Sequence, residues 1–350
     1  METGIIGLPL SGKTTIFNTL TGQDAQVSGY TGGKKRVNLA EVEVPDPRLE
    51  ALNKIFKPKK SRAAVVLIKD LQVDFTPQGG LAGSVLGELR HCEAIIIILR
   101  AFLDESVPHT LEEINPLQDL HTILDSLVFS DYEVAEKRLE RLIKEGKKKS
   151  REYLVLHKLS EKFASGGYTG PGFLNPDEEK LVSGFAFLTL KPLIVVANSG
   201  ENPVEIEPLE KEVESLQLAL FTISGQLEME IAKLSDEDQK DFLAELGLEE
   251  SAKNRFLRQL YSTLNLISYL TASEKEVRAW SLNRGESALK AAGKIHSDLE
   301  KGFIRAEVIY WEELIAAGGY AQAKKAGKLR LEGKDYIVKD GDVLIILFNV

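Results

Sequence analysis

The sequence predicts an α/β protein with a mostly parallel sheet, interrupted by an inserted α-helical hairpin and followed by a small β-rich domain. Three observations carry this. Short apolar runs at Ala63 to Ile68, Ala94 to Leu99 and Leu193 to Ala197 are rich in β-branched residues and bounded by polar or Gly/Pro residues, as strands buried on both faces require. A charged stretch of helical pattern separates the last two. From Glu276 onward the pattern turns to alternating segments between glycine-containing turns. A chain of 350 residues exceeds one typical domain, so a division into two or three is expected.

The first element is a brief apolar strand, Thr3 to Gly7, which leads through a glycine-bounded turn into Lys13 to Leu20, a segment that can be helical. Between them GLPLSGKT, from Gly7 to Thr14, fits the pattern G-x-x-x-x-G-K-[ST] in the strand-to-helix context the pattern needs. Its glycines let backbone N–H groups wrap a phosphate at a helix N-terminus. Lys13 brings charge to the β and γ phosphates, and the Thr14 hydroxyl can ligate Mg²⁺. Pro9, Leu10, Ser11, Gly12 and Thr15 complete the stretch expected to hold a nucleotide. An ordinary glycine turn would give no reason for Lys and Thr to follow Gly12.

In the charged stretch, Ser130 with Glu133 three residues later resembles a capping box, and the segment through Lys149 carries Val134, Leu139, Leu142 and Ile143. Tyr153, Leu156, Leu159 and Phe163 share a face of a second helical pattern. The break at Gly146 and the loop Gly166 to Gly172 make the pair a hairpin. Asn175 and Pro176 then read as the cap and first position of a returning helix. Asp236 to Leu264 is helical in pattern, and Val277 to Trp280, Ala306 to Tyr310 and Tyr336 to Val338 alternate as strands. Just after the run Leu193 to Ala197, Asn198-Ser199-Gly200-Glu201 has the spacing N-x-x-E. In GTPases the equivalent N-K-x-D uses a carboxylate to accept hydrogen bonds from guanine N1 and N2, and the longer Glu201 weakens that requirement. A loop asparagine beside a solvated glutamate is the other reading of these residues.

Lys plus Arg number 44 against 53 Asp plus Glu, a net charge of −9, so bulk charge does not drive nucleic-acid binding and DNA is not an expected partner. RNA contact is left to local clusters at Lys34-Lys35-Arg36, Lys57 to Arg62, Lys144 to Arg151 and Lys324 to Arg330, each of which reads otherwise as a solvated face. The single cysteine, Cys92, excludes an internal disulfide framework and a Cys-rich zinc site, and beside an apolar run it reads as structural. His91, His109, His121, His157 and His296 show no metal spacing. No apolar run approaches the roughly 20 residues that cross a bilayer, and the N-terminus lacks the marks of a signal peptide. The expectation is a soluble, cytoplasmic protein without a membrane partner.

Taken together, these stretches resemble the YchF/Obg-like ATPase family, translation-factor-class P-loop proteins with a G domain, an inserted coiled coil and a C-terminal TGS domain. The resemblance covers nearly the whole chain. It rests on GLPLSGKTTIFNTLT from Gly7, VPDPRL from Val44, FLTLKP from Phe187, NSGE at Asn198 and LAELGLEE from Leu243. Its most specific stretches are KEVRAW from Lys275, AAGKIHSDLEKGFIRAE from Ala291 and EGKDYIVKDGDVLIILFNV from Glu332. It implies a G domain over 1–125 and 187–267, the hairpin over 126–186 and a β-grasp TGS domain over 268–350. It further implies nucleotide binding with tolerance for ATP, with GTP as the alternative. Mg²⁺ dependence is implied, with K⁺ as a further candidate ion, as is association with the ribosome through its large subunit and ribosomal RNA.

By position, the resemblance puts Ser224-Gly225 in a short base-contacting loop after a strand. It makes Asp70 the aspartate behind Mg²⁺, so that Lys13 and Asp70 are the catalytic residues and Thr14 and Asp70 the metal residues. A plain turn residue at a strand end is the other reading of Asp70. Three departures from the family pattern bear on hydrolysis. D-x-x-G is here Asp70-Leu71-Gln72-Val73, with Asp74 where a hydrophobic residue follows; Lys34 falls where a Mg²⁺-ligating threonine would; and the segment around Gly79, Gly80 and Gly83 is shortened. Phosphoryl transfer depends on positioning and charge neutralisation, so these losses bear on rate and leave the phosphate cradle intact. Two functions stay open: an NTPase that cycles on the ribosome, and a nucleotide-loaded scaffold that binds ribosome or RNA without turnover. A small-molecule kinase would need neither the N-x-x-E stretch nor a TGS module.

Overall fold

The computed structural model describes residues 2–22, 38–71, 80–104, 107, 113–200, 202–245 and 247–349. The chain divides into two compact units, Met1–Glu41 with Leu67–Lys253 and Val42–Val66 with Asn254–Val350. The first strands are β1 (Glu2–Ile6), β2 (Asn38–Val44), β3 (Lys60–Arg62), β4 (Ala64–Asp70), β5 (Ala94–Arg100), β6 (Leu193–Asn198) and β7 (Ala219–Ile223). All but β3 form a six-stranded sheet in the order β2-β4-β1-β5-β6-β7. β1 lies between β4 and β5, β6 follows β5 and β7 follows β6, all in parallel. β5 is buried at every position, which is why its sequence is a continuous apolar run rather than an alternation. In register, Ile5 stands beside Asp70 and Ile96, and Arg100 beside Asn198. The carboxyl ends of the central strands therefore meet along one edge, where open parallel sheets carry their ligands.

The helices of this unit include α1 (Lys13–Thr21), reached from β1 through the glycine turn. α2 (Pro47–Phe56) belongs to the other unit, and α3 (Gly83–His91) leads into β5. Between β5 and β6 come α4 (Pro116–Lys144), α5 (Arg151–Ala164) and α6 (Pro176–Val182). α4 and α5 are the expected hairpin, turned at Gly146 in the left-handed region. Asn175 caps α6 with a full capping box, as Asn-Pro predicts.

Ser130 and Glu133, however, start nothing. α4 is a single helix of 29 residues whose cap is Asn115, with Pro116 at its first position. The Asn115 side chain accepts from Gln118 N at 3.1 Å, whereas Ser130 Oγ, mid-helix, accepts from Arg90 Nη2 at 2.8 Å. Asp236 to Leu264 holds two helices, α9 (Asp236–Glu245) and α10 (Ala252–Thr263), after α7 (Glu207–Ser215) and α8 (Gly225–Ile231).

α4 serves two cores. Its first half places Leu120, Ile123, Leu124 and Leu127 against the sheet core of Ile95, Ile97, Leu99 and Val195. Its second half places Val128, Ala135, Leu139 and Leu142 against Leu156, Leu159 and Phe163 of α5. Where the cores meet, Asp131 is wholly buried: Oδ1 accepts from Arg90 Nη1 at 2.9 Å and Oδ2 from Thr189 N at 2.8 Å and Thr189 Oγ1 at 2.9 Å. Arg90 also donates to the carbonyl oxygens of Ala186 and Ser130.

In the second unit the strands β8 (Leu266–Ala272), β9 (Glu276–Asn283), β10 (Phe303–Tyr310), β11 (Arg330–Glu332) and β12 (Asp342–Phe348) give the order β11-β10-β12-β8-β9-β3. β8 with β9 and β10 with β12 are antiparallel, while β12 with β8 is parallel, over a core of Tyr269, Leu282, Ala291, Val308 and Leu344. Tyr336 to Val338 is not a strand: it makes one bridge, Ser287 to Ile337, and Arg330–Glu332 is the edge strand instead. The segment is held as a turn by Asp342 Oδ2, which accepts from Tyr336 OH and from Lys339 N, each at 2.8 Å.

Val42–Val66 also departs from the division expected over 1–125. β3 pairs in parallel with β9, Arg48 Nη1 donates to Asp340 Oδ2 at 2.9 Å, and the Phe56 ring lies 5.2 Å from that of Tyr320. Lys60-Ser61-Arg62 is exposed throughout, so backbone pairing alone makes the strand and no apolar pattern announces it. Among the described residues, no helix is long and apolar enough to cross a membrane.

Breaking a buried ion pair from one side leaves an uncompensated charge and costs about 3–5 kcal/mol. Asp131→Ala is therefore expected to destabilise the protein by about 3 kcal/mol, read as a fall in the urea midpoint. A midpoint within experimental error of the wild type would show that the Arg90 network carries no stability.

Candidate nucleotide site

Two glycines shape the turn between β1 and α1. A Cβ on Gly7 would collide with the Ile98 carbonyl oxygen, and a Cβ on Gly12 with the Asn198 amide. Gly12 also adopts φ 90°, in the left-handed region, as the N-cap of α1. Leu10 holds φ 62° without being glycine, exposed at the crest beside half-buried Pro9. Lys13 folds back over the turn and donates to Gly7 O at 3.0 Å and Leu8 O at 2.9 Å. Burial drives its pKa down to about 8, against a smaller upward pull from Asp70.

Asp70 ends β4, adjacent to β1, and is 2% exposed. Thr14 Oγ1 donates to its Oδ2 at 3.2 Å, and Asn38 Nδ2 approaches the same oxygen at 3.4 Å. Burial raises the Asp70 pKa; the Asn38 hydrogen bond, the Lys13 charge and the Thr14 hydroxyl oppose the rise. A desolvated carboxylate beside a threonine hydroxyl is a pair of hard oxygen donors, the chemistry Mg²⁺ takes when it is bound with phosphates and water. The residues fit that ion.

Asn198, at the end of β6, joins the turn to a second loop. Its Nδ2 donates to Ser11 O at 3.1 Å and its Oδ1 accepts from Gly225 N at 3.1 Å. Gly225 is buried against Ile16 and Thr15 of α1, and Thr19 Oγ1 donates to its carbonyl oxygen at 3.1 Å. Ser224 caps α8, its Oγ accepting from Leu227 N. A cavity of about 680 Å³ opens beside the turn, lined by Gly12, Thr15, Asn198, Phe102, Asn202 and Gln226. That is the size of a small-molecule site.

Lys13, Thr14 and Asp70 thus meet at the phosphate turn, and Asn198 ties the turn to Ser224-Gly225. Glu201 lies outside the described residues, as do Lys34, Val73, Asp74 and Gly79 of the departures discussed above. The sequence reading did not single out Phe102, Asn202 or Gln226, and gave Asn38 no part at the site. Asn38, Phe102 and Asn202 occupy a strand end or loops with no motif of their own and reach the site through the order of the strands, while Gln226 comes with the first turn of α8.

Fold and site define a P-loop nucleotide-binding protein. Residues 2–56 match a family model described as "50S ribosome-binding GTPase", and residues 266–349 match YchF-GTPase_C, described as "Protein of unknown function (DUF933)". "Ribosome-binding ATPase YchF" of Bacillus subtilis is 38% identical over 364 aligned residues, covering 100% of both chains. The protein of the same name from Haemophilus influenzae is 39% identical over 358, covering 99% of each. A solved structure, the Schizosaccharomyces pombe YchF GTPase, superposes with a TM-score of 0.86 at 27% identity, over 99% of this chain and 97% of that one. The chain belongs to the YchF family.

Because Lys13 is already proton-poor above about pH 8 in the free protein, its attraction for phosphate fades there. The Kd for ATP is expected to hold steady near about pH 7 and to rise by up to about tenfold per pH unit above about 8.5. Calorimetric titration across that range checks it, and a flat Kd would contradict it.

Proposed function

We propose that this protein binds ATP with Mg²⁺ in the turn between β1 and α1, hydrolyses it, and acts on the ribosome in the cytoplasm. The single observation that carries the reading is the continuity of the Lys13, Thr14 and Asp70 cluster with the cavity beyond Asn198. In this reading the backbone N–H groups from Leu10 to Thr15 wrap the phosphates and Lys13 neutralises them. Thr14 and Asp70 would hold Mg²⁺, which would supply positive charge against the phosphates. Asn198, Ser224-Gly225 and Glu201 form the base side, and Glu201 in place of aspartate favours ATP over GTP. K⁺ belongs to the same proposal. So does the division into a G domain, an inserted hairpin and a β-grasp domain.

Several relatives are named ribosome-binding ATPases, and the matched N-terminal model is described as a 50S ribosome-binding GTPase. We extend large-subunit and ribosomal RNA binding to this chain. The turn of the hairpin suits RNA better than Lys324 to Arg330. Lys144, Lys148 and Lys149 are exposed and pair with no described carboxylate. In the other cluster Lys324 pairs with Glu307, Lys328 with Glu313 and Arg330 with Asp342.

Phosphate release with Mg²⁺ and K⁺ tests the enzyme reading. Release from ATP is expected to saturate, to exceed that from GTP, and to vanish in Lys13→Ala. Nucleotide binding without release above that control, with or without ribosomes, would instead favour a nucleotide-loaded scaffold.

A further inference from the structure

β5 is six buried aliphatic residues followed by an arginine, and Arg100 is 1% exposed. A guanidinium stays charged in proteins, so one buried in an apolar strand persists only where the fold supplies partners. Here two hydrogen-bond partners among the described residues lie on one segment. Arg100 Nε donates to Phe102 O and Nη2 to Asp104 O, each at 3.2 Å, and its Cζ stands 4.6 Å from the centre of the Phe102 ring. Phe102, Leu103 and Asp104 all line the cavity. The segment is fastened to the loop after β6 by Leu103 N to Asn202 O at 2.8 Å and Val204 N to Ala101 O at 3.0 Å. Gly200, at φ 58°, lies so close beneath Phe102 that a Cβ would press on the Phe102 side chain. Asp104 and Asp119, the latter buried on α4, supply negative charge that favours the guanidinium against the cost of its burial.

β5 itself is bonded on both sides by β1 and β6 and needs no arginine to hold its place. We propose that Arg100 is a positioning residue for the nucleotide base, setting the cavity wall of Phe102, Leu103 and Asp104 through two of its carbonyl oxygens and the Phe102 ring. The proposal rests on the reading that this cavity takes the base. A lysine could not replace it, because a point charge neither spans two carbonyl groups as a fork nor lies flat on a ring.

The test compares two probes on the full-length protein, Mg²⁺-ATP and Mg²⁺-tripolyphosphate, the second lacking base and sugar. Wild type is expected to bind ATP more tightly. Equal affinity would show that the cavity contributes nothing to binding, and would overturn the base reading and this proposal before any variant is made. Given that preference, Arg100→Met is expected to raise the Kd for ATP about tenfold and Arg100→Lys about threefold, with the Kd for tripolyphosphate within about twofold of wild type. Parallel loss of both affinities, or no change in either, would overturn the proposal.

Since Arg100→Met removes a positive charge that acts on buried Asp119, Arg100→Met/Asp119→Leu removes both charges and carries the same comparison if the single variant fails to fold. Loss of the fold in all three variants, read by circular dichroism, would make Arg100 a stability residue and overturn the proposal.

Discussion

One amide group holds the nucleotide side of this protein together. Asn198 is 4% exposed, and its two polar atoms are committed to Ser11 O and Gly225 N, on opposite sides of the site. Each hydrogen bond is worth only about 1 kcal/mol net, but losing the amide would strand a buried carbonyl and a buried N–H, at about 1–3 kcal/mol apiece. The same amide fills the space where a Gly12 side chain would sit. The turn's curvature, the entry to α8 and the floor of the cavity therefore depend on one uncharged residue at the end of β6.

The buried charges follow a common plan. Asp70, Asp131 and Arg100 each sit where an isolated ion would be costly, and each is met by several donors or acceptors, Asp70 and Asp131 from more than one element and Arg100 from the segment that follows it. Asp131 and Arg100 lie at either side of the root of the hairpin, one between α3 and the Thr189 turn, the other at the end of β5. Asp70 differs: its partners are a hydroxyl, a long amide contact and an ammonium that bonds elsewhere. The acid is left with room for a further cation.

Much of this was legible in the sequence. The phosphate turn reads directly because its glycines, lysine and threonine are local requirements of a strand-to-helix turn, and the aliphatic runs of β5 and β6 read as strands buried on both faces; β4 is a strand too, but it alternates, with Val65 exposed. The hairpin was legible through Gly146 and Asn175-Pro176. What failed did so for physical reasons. Ser130 and Glu133 have the spacing of a cap, but Arg90, remote in sequence, captures the serine. β3 has no apolar residue and owes its strand to pairing with β9. Phe102 and Asn202 reach the cavity only because β5 and β6 are neighbours, which composition cannot report. Asn198 of the N-x-x-E stretch carries a part that its spacing does not announce, tying Ser11 O to Gly225 N.

α4 has a mechanical consequence. At a rise of about 1.5 Å per residue it is about 43 Å long, rooted in the sheet core through Leu127 and in the hairpin core from Val128 onward. It has no hinge glycine or internal proline where the two cores meet. The root and the far turn must then move as one lever. With an arm of about 24 Å from that junction to Lys144, a tilt of about 5° displaces the hairpin turn by about 2 Å. A shift in how the root packs beneath β5 is thus carried to the hairpin turn, where Lys144, Lys148 and Lys149 are exposed.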